Sequence, residues 1–107
     1  MKIYNVSITE KALADMDDIY NYIADVLIAP EAAASQYNRI ADAILSLDFM
    51  PMRIQLMNSE PERTKGLRAL IVDKYSVIFT VRGDDVYVVR VFYSAMDISA
   101  RLAINDI

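Results

Sequence analysis

Three arginines, Arg68, Arg82 and Arg90, punctuate the most strand-like part of the chain, GLRALIVDKYSVIFTVRGDDVYVVRVFYSAMDI at residues 66–98. A guanidinium is a planar fork of donors that stays charged at physiological pH. It can stabilise phosphate charge, clamp a carboxylate or grip a partner. Alternation places Arg68 in phase with Leu70 and Val72, and Arg90 in phase with Val86, Val88 and Phe92. Both faces of these strands are apolar, so each of these two guanidiniums interrupts a buried row and requires a partner or a place at the sheet's rim. Arg82 stands beside a turn and is less informative. Tyr75, Tyr87 and Tyr93 alternate along the same strands. Exposed aromatics beside arginine can stack on bases; cross-strand pairs that fix register use the same pattern.

Other chemistries are excluded by what the chain lacks. It has no Cys, hence no disulfide framework and no thiolate metal site, and no His, hence no imidazole base or ligand. A Ser-His or Cys-His nucleophile is therefore impossible. The pairs Asp17-Asp18 and Asp84-Asp85 read as a solvated helix face and a turn, because adjacent helical residues do not face one another. No acidic spacing matches a calcium loop. The two glycines, Gly66 and Gly83, are too far apart for a phosphate loop. No metal and no cofactor are expected.

The elements that must position the arginines are legible from periodicity. Residues 3–8 alternate, with Tyr4, Val6 and Ile8 on one face, and predict a strand rather than a secretory leader. Thr9 is a predicted N-cap, with Glu10 in the first turn. Leu13, Met16, Tyr20, Ile23 and Leu27 form an apolar stripe on a predicted helix of about five turns. Pro30 opens a second helix, along which Ala33, Tyr37, Ile40, Ile44 and Leu47 recur. It ends near Asp48, since Pro51 disfavours a helical Met50. A short joint makes the two helices an antiparallel hairpin. Residues 52–65 read as a loop; residues 66–73, 75–81 and 86–93 read as three strands, the last two joined through Gly83. Residues 97–107 can add one or two helical turns. The fold class is α+β, a single domain over residues 1–107: a strand, a helix hairpin, then an antiparallel three-stranded meander, all in one sheet of about four strands. Whether the first strand lies at an edge or between later strands is left open.

Charge narrows the partners. The net charge is −4. Residues 1–51 hold three Lys or Arg against eight Asp or Glu, and residues 52–107 hold eight against seven. Such a chain is a poor generic ligand for phosphate backbones. The longest uncharged stretch falls far short of the ~18 apolar residues of a membrane span. A cytoplasmic protein with neither membrane insertion nor specific DNA binding is expected.

The ordered set of segments resembles the RelE/ParE superfamily, the toxins of bacterial type II toxin–antitoxin modules (the plasmid stabilisation family). The resemblance runs through ITEKALADMDDIYNYIADVLIAPEAAASQYNRIADAILSLDFMP, GLRALIVDKYSVIFTV and VYVVRVFYSAMDI, nearly the whole chain. It implies one of two activities. RelE-like members cut mRNA on the ribosome without a metal, using cationic side chains and a proton-relaying group. ParE-like members instead poison DNA gyrase. Either kind is neutralised by a cognate antitoxin, expected over the groove beside the helices and the final strands, where residues 86–93 lie near an edge. The resemblance offers Arg68, Arg90 and Tyr93 as catalytic residues of a nuclease. Two positions usually basic in nuclease members carry Ser76 and Met96. Losing one preorganised charge contact costs about a hundredfold or more in rate. The expected function is therefore growth inhibition through a protein target, with mRNA cleavage as the alternative and a non-toxic antitoxin-binding module as a third reading.

Overall fold

A computed structural model describes residues 2–94. The helical turns expected over residues 97–107, and Met96, lie outside the described residues. The elements are β1 (Asn5–Ile8), α1 (Glu10–Asn21), a π-helical turn (Tyr22–Val26), α2 (Pro30–Leu45), short 3-10 turns at Ser46–Asp48 and Pro51–Arg53, then β2 (Leu67–Val72), β3 (Tyr75–Arg82) and β4 (Asp85–Tyr93). The sheet order is β1-β4-β3-β2. β1 takes an edge and runs parallel to β4, which settles the position left open above. The meander is antiparallel. Each of its hairpins closes through a two-residue loop whose first residue has positive φ, Asp73 at 56° and Gly83 at 61°.

The helix signals act as expected at their starts. Thr9 caps α1, its side chain accepting from the Ala12 amide at 3.2 Å, and Pro30 occupies the first turn of α2. The first helix is shorter than five turns. It widens after Asn21 into the π turn, whose extra residue rotates the stripe, so that Leu27 faces outward. Ile28 follows at φ 52°, a conformation that crowds a β-branched side chain.

The hairpin lays Ala12, Met16, Ile40 and Ile44, with Leu47, on Val77, Phe79, Val86, Val88 and Val91. Tyr4 closes this core beside β1. The far face of the sheet carries a second apolar cluster, Leu67, Ile78 and Phe92, joined by Met57, Ala69 and Val89. Both faces are therefore apolar, as the strands' composition implied. Phe79, wholly buried in the main core, touches the hairpin's cargo of side chains from the middle of the sheet. Phe79→Ala is expected to lower stability by about 3–5 kcal/mol, read from the midpoint of urea unfolding.

Candidate functional site

Arg90 does not stand where alternation put it. The β3–β4 register slips between Ile78 and Phe79: Ile78 faces Arg90, but Phe79 faces Val88. Val89 is the extra residue of a β-bulge. Val86 and Val88 point to the hairpin, whereas Arg90 shares the far face with Ile78 and Phe92. The bulge lies where β4 outruns β1, whose pairing stops at Val88. Helix α1 takes over that open edge. The Thr9 hydroxyl donates to the Val89 carbonyl at 3.1 Å. Asp15 accepts the Val91 amide at 2.9 Å and both Nε and Nη2 of Arg90, at 2.7 and 2.9 Å. Arg90 is 6% exposed, its guanidinium 4.6 Å from the Phe92 ring centre, and the Asp15 hydrogen bonds raise its pKa further. Its Nη1 is buried with no hydrogen-bond partner among the described residues.

The other candidate residues are placed apart from it. Arg68 lies on the hairpin side of edge strand β2, opposite Phe79 in register. Its Nη1 donates to the Ile54 carbonyl, and a bridge between Leu56 and Arg68 ties down the same loop. Arg68 and Arg90 thus sit on opposite faces, with β3 between their strands. Tyr93 stacks edge-on against Tyr75 at 5.8 Å, on the hairpin side at the end of β4. Tyr87 pairs with Thr80 on the far face, so the three strand tyrosines form no common platform. Ser76 is buried on the far face, its Oγ 2.9 Å from Ser94 Oγ. Arg82 is exposed and, with Lys11 and Lys65, rims a far-face cleft of about 600 Å³ at the opposite end of β3 from Ser76.

The concavity that periodicity did not disclose is a groove of about 910 Å³ between the hairpin and the sheet end at the β2–β3 turn. Ile19, Ile23 and Val91 line its apolar part, and Tyr22, Tyr75 and Tyr93 its aromatic walls. Burial, together with Tyr93, Tyr22 and Asp73, pushes the Tyr75 phenol pKa up, so it remains a neutral donor at physiological pH. Arg39 and Lys74 bring cations, and Asp15 and Asp18 carboxylates. At one end, Asp73 accepts Gln36 at 3.0 Å and Arg39 at 2.8 Å, fastening α2 to the turn. An aromatic-walled groove with mixed charges suits a polypeptide segment. Among the described residues no group of three carboxylates is placed to hold a metal. The sequence signal of the groove was the family resemblance, which implied one beside the helices and the final strands; of the tyrosines, Tyr22, Tyr75 and Tyr93 line it, while Tyr20 and Tyr37 do not.

The architecture is that of the RelE/ParE superfamily of toxins. The family described as "ParE toxin of type II toxin-antitoxin system, parDE" matches residues 6–98, and the chain belongs to it. It is similar to a chain of the chromosomal ParDE system from P. aeruginosa: 29% identity, TM-score 0.71, over 85% of this chain and 96% of that one. The fold is shared with a chain of the RelBE2 toxin–antitoxin complex from Mycobacterium tuberculosis, at 17% identity and TM-score 0.60, over 85% of this chain and 98% of that one. No curated protein sequence matches significantly.

Two consequences are measurable. Asp15→Ala strands the buried Arg90 charge and the Val91 amide, and is expected to cost about 3–5 kcal/mol in urea unfolding. For Asp73, the hydrogen bonds from Gln36 and Arg39 hold the carboxyl pKa below its ordinary 3.8. The unfolded state therefore binds the proton first, so this contact's contribution is present at neutral pH and fades as pH falls through the folded value. Asp73→Asn should flatten that part of the acid limb in a plot of urea midpoint against pH, by a small amount because the groups are exposed.

Proposed function

We propose that the chain is a growth-inhibiting toxin that acts in the cytoplasm by binding a protein target, DNA gyrase, and is silenced by a cognate antitoxin seated in the groove. Membership of the ParE family supports the toxin class. The chromosomal ParDE toxin–antitoxin system to which its P. aeruginosa relative belongs supports the antitoxin.

The observation that favours a protein target over RNA cleavage is the surrounding of Ser76. Nuclease members place a cation there; here the serine is closed by Ser94 on a face made of Leu67, Ala69, Ile78 and Phe92. Phosphoryl transfer needs preorganised positive charge where the phosphorane forms. Arg90 is consumed by Asp15, and Arg68 is tied to a carbonyl on the opposite face. A net charge of −4 also opposes entry into the phosphate field of a ribosome.

Expression without antitoxin is expected to stop growth and induce DNA-damage signals, and the purified chain to inhibit supercoiling by gyrase. Unchanged supercoiling counts against the target. Messenger cleavage on translating ribosomes, abolished by Arg68→Ala, would replace this reading with the nuclease one; harmless overexpression with tight antitoxin binding would replace it with the non-toxic module.

A further inference from the structure

The joint of the helix hairpin is built against the ordinary rules of a surface turn. Val26, Leu27 and Ile28 are consecutive and 64%, 56% and 82% exposed; Leu27 borders the end of the groove, whereas Val26 and Ile28 stand outside its lining. A run of exposed apolar residues is avoided on a surface without a role, and an apolar patch with a polar rim marks an interaction site. Backbone strain coincides with the patch. Ile28 is held at φ 52°, where a β-branched residue is an outlier, two residues past the end of the π turn. No packing reward explains it, because Ile28 is the most exposed large apolar residue described. Strain retained without local compensation is typical of positions kept for function.

The rim defines the partner. Asp25, in the π turn, and Glu31, in the first turn of α2, flank the joint, and neither is in an ion pair among the described residues. The hairpin's Arg39 is committed to Asp73, and Lys74 stands across the groove on the β2–β3 turn, not on the hairpin. Lys11 lies at the other end of α1. This end of the molecule is therefore apolar at the centre and acidic around it. An anionic lipid surface or a nucleic acid would be repelled.

We infer that the hairpin tip, with Ile28 as its anchor, is the surface that engages the toxin's protein target, and that the target presents an apolar pocket ringed by Lys or Arg. The inference rests on the proposed function for the existence of such a target. It assigns the contact to the tip instead of the arginine-bearing strands. The complementary charges steer the encounter and the apolar anchors hold it.

Ile28→Gly separates binding from folding, since glycine adopts this φ freely while losing the anchor. Its melting temperature should match or exceed that of the unaltered chain. Its half-inhibitory concentration against supercoiling by purified gyrase should rise about tenfold or more, the loss of a central anchor. Asp25→Lys with Glu31→Lys should weaken inhibition comparably, most strongly at low salt. Inhibition by Ile28→Gly within about twofold of the unaltered chain overturns the inference. If the unaltered chain stops growth but leaves gyrase untouched, the target assignment falls alone. Growth arrest then decides the tip: loss of arrest by Ile28→Gly at equal soluble level supports it, and equal arrest overturns it. If the unaltered chain neither stops growth nor inhibits gyrase, both readings fall.

Discussion

A carboxylate stands where a neighbouring strand would otherwise pair. β1 is too short to cover β4 beyond Val88, and the remaining edge would expose backbone donors beside an apolar core. Asp15 takes the Val91 amide and, in the same step, the fork of Arg90. The first helix is thereby fixed along the strand it packs on, and the bulge at Val89 is held in the register that lets Val91 face the hairpin while Phe92 faces away. A buried ion pair of this type gives little net stability over an apolar replacement. Its value lies in geometry, because removing either partner strands a charge. The groove depends on it, since Asp15 and Val91 both line that groove.

That pair also governs what the molecule can do chemically. A guanidinium saturated on its reactive edge by a carboxylate offers little field to a phosphate. The sheet face opposite the hairpin is occupied by branched and aromatic side chains around a pair of serines. The molecule is thus organised as a carrier of surfaces: an aromatic-walled groove on one side and an acidic, apolar-tipped hairpin at one end.

Much of the fold was legible in local signals. Thr9 and Pro30 mark helix starts whatever surrounds them, since a cap and a fixed φ are properties of a few adjacent residues. The stripe from Ala33 to Leu47 follows from periodicity and the β3–β4 loop at Gly83 from turn residues, whereas the β2–β3 turn through Asp73 carried no such signal. The extent of the first helix was less legible, because a π turn shifts the phase without any breaker in the sequence.

The amino-acid sequence by itself determined the element order, the α+β class, the exclusion of imidazole and thiolate chemistry, and the need for Arg90 to find a partner. Only the tertiary structure decided that the partner is Asp15, that Arg68 and Arg90 lie on opposite faces, and that β1 is a parallel edge strand. The physical reason is range. Periodicity and capping act over three or four residues, whereas a one-residue bulge at Val89 reverses every side chain on one side of it relative to the other, and the Asp15–Arg90 pair joins residues that only packing brings together.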